Sequence, residues 1–205
     1  MDKERYSCTS LYFKNIFLSI KTYSIINQNM EIRKATRDDL NTMQEIFHCA
    51  REYMKKEGTP NQWGDSRPPL FLIEKDFNLG TSYIIEENGE AVGTFSFMIG
   101  IEPTYIKIYE GEWLNDKPYG TIHRIASNGK VKGIFNIVLD FVSKFGVDIR
   151  IDTHENNKTM LRHLFASGFK KCGIIFIDDG TSRIAFQKII SKWFFEKQII
   201  KNRKN

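Results

Sequence analysis

Between Tyr119 and Phe145 the chain sets a polar loop with two glycines and two lysines directly ahead of an apolar helical pattern. That order could hold an anion. The loop runs Ser127-Asn128-Gly129-Lys130-Val131-Lys132-Gly133. Before it, Ile122 and Ile125 sit among short and β-branched residues, the pattern of a strand. After it, Ile134, Ile137, Val138, Phe141, Val142 and Phe145 recur at helical spacing and predict an amphipathic helix. The first amides of such a helix lack intrahelical partners, and the helix dipole makes them a site for phosphate. Lys130 and Lys132 add positive charge, and Gly133 lets a ligand approach the backbone. The same residues also fit an ordinary strand–helix connection with solvated lysines. A Gly-x-x-x-x-Gly-Lys-Ser/Thr loop is absent, and so is a Gly-x-Gly-x-x-Gly fingerprint after the first strand. P-loop nucleotide chemistry and a dinucleotide fold are therefore excluded.

The elements that must position this loop follow a regular order. Met30–Ala35 reads as a strand, and Thr36 with Asp39 as a capping box. Leu40, Met43, Phe47, Ala50 and Met54 then mark a helix. Residues 58–69 read as a loop carrying Trp63. Pro68 and Pro69 open a second helix to about Phe77, which stops at Gly80. Strands Ser82–Glu86 and Ala91–Ile99 form a hairpin around Asn88-Gly89. A long connection over 100–119 holds Tyr105, Tyr109, Trp113 and Tyr119, with Glu110 and Glu112 between them. Beyond the central strand–loop–helix come a strand over Val147–Thr153, a helix over Asn157–Ser167 ending at Gly168, and a hairpin of Lys170–Ile177 and Arg183–Lys188. The order β-α-α-β-β-β-α-β-α-β-β is an α/β layout with a mixed sheet.

Length and charge narrow the class. At 205 residues the chain fits one domain over 30–190, with an extension at each end. Residues 1–29 carry an apolar cluster around Phe13, Ile16, Phe17, Leu18 and Ile20. Lys14 and Lys21 bound it too closely for a membrane span or a signal peptide. That segment reads as an arm, or as read-through from an upstream start ahead of Met30. The formal charge is +5, yet residues 30–191 hold 21 basic and 22 acidic groups, so the excess lies at the ends. A nucleic-acid-binding body would carry that charge itself, so nucleic acid is not expected as a partner. The basic, aromatic segment 191–205 is where a ribosome- or RNA-associated role would reside if there were one.

Cys8, Cys49 and Cys172 are too few and scattered for a disulfide framework. Cys49 and Cys172 read as buried thiols of a cytoplasmic protein. His48, His123, His154 and His163 have no ligand spacing, so no metal is implied. Within the central strand, period-two alternation puts His123 on the same face as Ile125.

Three features together resemble the GNAT-type N-acetyltransferases: this order of elements, the central strand–Gly loop–helix, and Asn157-Lys158-Thr159-Met160 leading to Gly168-Phe169. The resemblance spans about Met30 to Lys188 and includes the opening Ile32-Arg33-Lys34-Ala35-Thr36-Arg37-Asp38-Asp39-Leu40. It implies a mostly antiparallel twisted sheet flanked by helices, with a splayed parallel strand pair at its centre. It also implies acetyl-CoA as co-substrate. The family loop Gln/Arg-x-x-Gly-x-Gly/Ala falls on Lys130-Val131-Lys132-Gly133-Ile134-Phe135, which keeps Gly133 but puts Lys130 and Phe135 where the family differs. The ring of Phe135 leaves room for a pyrophosphate only if it points into the core.

By the same resemblance, Ile125, Ala126 and Ser127 would pair with the pantetheine arm, and Asn157 would contact the cofactor. A plain helix N-cap is the alternative for Asn157. The reaction implied is direct attack by an amine on the thioester carbonyl. The family's usual acid, a Tyr seven residues after the Asn, is replaced by Leu164. His123 is the first candidate for a base, with a hydrogen-bonded structural role as its alternative, and Glu112 and Tyr119 are others. Trp63, Trp113 and Tyr119 fall where the family builds its acceptor pocket, and they suit a cationic or amphipathic amine unless they are core. The acceptor would be a small-molecule or peptide amine. A CoA-binding module with little catalysis is the alternative, motivated by Phe135 and Leu164. A homodimer through a sheet edge or the aromatic tail is compatible with the pattern.

Overall fold

The computed structural model describes residues 23–25, 30–60 and 62–190. The expectations for the rest of the N-terminal extension and for 191–205 lie outside the described residues. Among the described residues eight strands form one sheet in the order β1-β2-β3-β4-β5-β6-β8-β7. They are β1 (Tyr23–Ile25), β2 (Met30–Lys34), β3 (Ser82–Glu87), β4 (Glu90–Ile99), β5 (Tyr119–Ser127), β6 (Asp148–Thr153), β7 (Lys170–Phe176) and β8 (Ser182–Lys188). The sheet thus begins inside the segment read as an extension, where β1 pairs antiparallel with β2. Among the described residues four α-helices flank it: α1 (Leu40–Lys56), α2 (Leu70–Leu79), α3 (Ile134–Ser143) and α4 (Lys158–Ala166). The mixed, mostly antiparallel sheet that the resemblance implies is the one observed.

Local chemistry sets most of these boundaries. Asp39 Oδ2 accepts from the Thr36 amide at 2.7 Å and closes the capping box, while both Asp39 oxygens grip Arg33 on β2 at 2.8 and 2.7 Å. The start of α1 is thereby tied to the sheet. Asn88 and Gly89 both take positive φ, the mirror-image turn that matches the twist of β3 and β4.

The helices cover both faces. The stripe of α3 buries Ile134, Phe135, Val138, Phe141 and Val142 against Tyr83, Phe95 and Phe97. Tyr83 and Phe95 stack with centroids 5.0 Å apart. On the opposite face α1 buries Met43, Ile46, Phe47 and Ala50 against Ile84 and Ala126. Cys49, expected to be buried, is exposed, because the neighbouring Ala50 occupies the buried stripe.

β5 and β6 are the parallel pair, and they pair only through Tyr119, Gly120 and Thr121. From Ile122 onward the β5 backbone has no β6 partner, so the sheet forks there. β6 reads Asp148-Ile149-Arg150-Ile151-Asp152. Its isoleucines face the α3 side, while its charged residues face the connection 100–118. That connection folds over the charged face and closes a third apolar cluster around Tyr105, Ile175 and Ala185.

Candidate active site

Two cavities meet at the fork. The larger, about 570 Å³, lies between α1, the end of β5, the loop 127–133 and the starts of α3 and α4. The smaller, about 370 Å³, is walled by α2, the loop 60–68, β5 and the ends of β6 and β7. Met54, Ile125, Asn157 and Met160 line both, so the two are continuous across the gap between β5 and β6.

The larger cavity has the features of a pyrophosphate site. Gly133 caps α3 with φ 78°, and a side chain added there would meet nothing within 4 Å, so its backbone opens onto free space. The first amide to bond within the helix is that of Asn136, to Gly133 O at 2.9 Å. The amides of Ile134 and Phe135 are therefore left to a ligand or water. Ser127, Val131, Gly133, Ile134 and Phe135 all line the space, beside Ile125 and Ala126. Phe135 points inward: it is 5% exposed and stacks on His163, with centroids 5.5 Å apart. Its ring thus serves as floor to the cavity and leaves the approach to Gly133 clear. Lys130 and Lys132 are exposed and do not line it, and Lys130 is paired with Glu90.

Asn157 is held on both sides of its amide. Its Oδ1 accepts from the Met160 amide at 2.9 Å, capping α4, while Nδ2 donates to Gln62 Oε1 at 2.7 Å. Capping and facing the cavity thus coexist. Leu164 is fully buried in the core, so its position offers no proton donor.

The smaller cavity gathers the ionisable groups. His123 Nε2 is 3.0 Å from Glu102 Oε2. A carboxylate only accepts, so Nε2 carries the hydrogen, and in the neutral ring Nδ1 keeps a lone pair. Nδ1 lies 3.9 Å from Asp152 Oδ1, which accepts from the Tyr105 hydroxyl at 2.6 Å. Burial pushes the Glu102 carboxyl up, but the His123 hydrogen bond and charge outweigh it and bring it down to about 2. Burial, with the Asp152 charge beside it, raises the Tyr105 hydroxyl well above its ordinary value, so it remains a donor. Trp63 is half-buried, lines this cavity and packs edge-on against Phe47 at 5.8 Å.

Other expected site residues stand elsewhere. Trp113 and Tyr119 do not line either cavity. Their rings sandwich Arg150, whose guanidinium carbon is 4.0 Å from one centroid and 3.8 Å from the other. A cation buried on β6 needs such π faces, and this places both aromatics in the covering layer. The Tyr119 hydroxyl also accepts the Glu102 amide at 3.1 Å, so it supports the His123 partner from behind. Glu112 is exposed in the connection and lines neither cavity. Sequence reasoning missed Gln62, Asp76, Glu102, Arg124, Asp152 and Arg183. The one available signal was the Asp-x-Arg-x-Asp alternation of β6, charged residues on a strand at the middle of a sheet.

No family model and no curated protein matches the chain, but solved structures do. An acetyltransferase of the GNAT family from Streptococcus agalactiae is 32% identical over 79% of this chain and 96% of its own, with a TM-score of 0.70. The chain belongs to the GNAT acetyltransferase family. An acetyltransferase from Staphylococcus aureus Mu50 is 25% identical over 78% of this chain and 99% of its own, with a TM-score of 0.57. A GNAT-family acetyltransferase from Listeria monocytogenes shares the fold at 21% identity and a TM-score of 0.60, over 82% of this chain and 98% of its own. Among the described residues of this GNAT protein, no helix is long and apolar enough to cross a membrane.

Proposed function

We propose that this GNAT protein transfers an acetyl group from acetyl-CoA to a primary amine by direct attack. The observation that carries the reading is the meeting of the two cavities at the β5/β6 fork, with Ile125, Asn157 and Met160 common to both. Acetyl-CoA would lie in the larger cavity, its pyrophosphate against the amides around Gly133 and its pantetheine arm along Ile125, Ala126 and Ser127. Its thioester would then reach the gap. The amine would come from the smaller cavity, where His123 Nδ1 is positioned to take its proton. As the new C–N bond forms, the C–S bond breaks. Its electron pair leaves on sulfur, which takes a proton from solvent. We place the reaction in the cytoplasm, where free thiols such as Cys172 persist.

Calorimetry with acetyl-CoA tests the loop assignment. Asp and Asn both tolerate the left-handed backbone of Gly133, but only Asp adds a negative charge at the anion site. Gly133→Asp should weaken acetyl-CoA binding by about tenfold more than Gly133→Asn, or about 1.4 kcal/mol. Equal binding by the two folded variants would remove the pyrophosphate from this loop.

A further inference from the structure

The smaller cavity also limits which amines can enter, an inference that rests on the acetyl-transfer reading above. Four cationic side chains line it: Arg67, Lys75, Arg124 and Arg183. Three of them are committed to partners in the protein. Arg124 is held by Asp76 through two bonds of 2.7 Å, and Arg67 lies 2.5 Å from Asp179. Arg183 donates to Thr181 Oγ1 at 2.8 Å and to the carbonyls of Ser182 and Gln62 at 2.9 and 3.3 Å. Lys75 is exposed at the mouth, where water screens its charge. Among the described residues of the inner wall, Arg67 and Arg124 are therefore paired with carboxylates, and Arg183 spends three of its N–H groups on neutral acceptors, with Asp152 4.0 Å from its Nε.

Its acidic side is different. Glu102 is occupied, with Oε2 toward His123 and Oε1 accepting from the Thr104 amide and hydroxyl at 3.2 and 3.0 Å. Asp152 uses Oδ1 for Tyr105, while its Oδ2 lies 4.0 Å from Arg183 Nε, beyond hydrogen-bonding reach. Oδ2 thus keeps acceptor capacity, in a side chain 14% exposed that lines the cavity next to His123 Nδ1. The apolar part of the cavity wall is formed by Trp63, Leu72, Leu79, Met98 and Ile151.

We propose that the acceptor is a primary amine on an apolar body with no carboxylate beside the amine, and that Asp152 Oδ2 receives its ammonium group before His123 takes the proton. A carboxylate on the neighbouring carbon would be carried into a wall where Arg67 and Arg124 are already ion-paired and the Arg183 guanidinium is hydrogen-bonded to the protein. It would be desolvated there without a counter-ion.

A matched series tests this: phenethylamine, L-phenylalaninamide and L-phenylalanine, each followed by calorimetric binding to the intact protein and by thiol release from acetyl-CoA. The first two should bind and turn over at least about tenfold better than the third. Equal or better binding of L-phenylalanine, or no heat from any of the three, overturns the proposal. Thiol release reports separately on the reaction. If acetyl-CoA binds but none of the three releases thiol, the transfer reading fails while the binding order still decides the acceptor class.

Two variants sharpen the outcome. Asp152→Asn should lose about tenfold in affinity for phenethylamine. Asp76→Asn keeps the shape but frees the Arg124 guanidinium, and should raise L-phenylalanine affinity by about tenfold. A folded Asp76→Asn protein with an unchanged preference would show that committed cations are not what excludes the carboxylate.

Discussion

Arg124 and Asp76 join the central strand to α2 through a fork-to-fork pair, Nε to Oδ2 and Nη2 to Oδ1, each at 2.7 Å. The backbone of Arg124 is left-handed, with φ 55°, at the point where the register of β4 and β5 shifts between Thr94 and Ser96. A non-glycine residue there is strained. The bulge turns Ala126 onto the α1 face, whereas Ile122 sits on the α3 face, and so it aims the end of β5 at the larger cavity. Asp76 is 6% exposed, and the ion pair holds the strained turn in place.

Both Arg124→Ala and Arg124→Gly leave that buried carboxylate unpaired, and both should lower stability, by about 3–5 kcal/mol. Glycine takes the positive φ without strain, so Arg124→Gly should retain about 1 kcal/mol more than Arg124→Ala. Urea denaturation measures both, and identical midpoints would mean the bulge is unstrained.

The pairing of Glu102 with His123 predicts a defined acid limb. The carboxyl of Glu102 is lowered from an ordinary 4.5 to about 2, burial opposing and the His123 hydrogen bond prevailing. A depressed carboxylate contributes stability that is present above its unfolded value and lost as pH falls through the folded one. Wild type should therefore exceed Glu102→Gln in stability by on the order of 1–2 kcal/mol between pH 5 and 7, after allowing for solvent screening. The gap should close between pH 4.5 and 2. A gap that persists at pH 2 would trace the difference to packing instead.

Most of the fold was legible in the sequence because its signals are local. The Asn88-Gly89 turn, the Thr36/Asp39 box and the stripe of α3 each lie within a few residues. The site was legible only in its loop. Glu102 and His123 are 21 residues apart, and Gln62 and Asn157 are 95 apart, so no periodicity connects them. β6 was harder still. Its alternation of charge and isoleucine is the signature of a strand with one wet face, yet that face is covered. What covers it is the connection 100–118, which has no regular period; the resemblance implies a pocket wall for its Trp113 and for Tyr119 at the start of β5. Both stack on Arg150 instead.

The covering connection depends on one close approach. At Gly111, φ 158°, a Cβ would stand 2.0 Å from the carbonyl oxygen of Cys172 on β7. Backbone cannot yield that far without lifting the segment. Gly111→Ala should cost about 1–3 kcal/mol and raise amide exchange in 103–115 well above that of α3. The Trp113 ring, which donates its Nε1–H to Tyr105 O at 3.0 Å and stacks on Tyr105, reports the same event by fluorescence. Unchanged exchange would mean that the connection is held from its other end.

Phe135 separates packing from ligand binding at a single position. Its ring sits at 5.5 Å from His163 and 6.4 Å from Phe169, beneath a loop where the resemblance led us to expect glycine or alanine. Truncation to alanine removes those contacts and should cost about 3–4 kcal/mol of stability. The backbone amides of α3 and the open space at Gly133 remain in place. Acetyl-CoA affinity should therefore stay within about threefold of wild type, less than 1 kcal/mol. Thermal unfolding and calorimetry on the same preparation read the two quantities independently. A tenfold gain in acetyl-CoA affinity on truncation would show that the ring obstructs the pyrophosphate, and the inward packing seen here would then be only one of its positions.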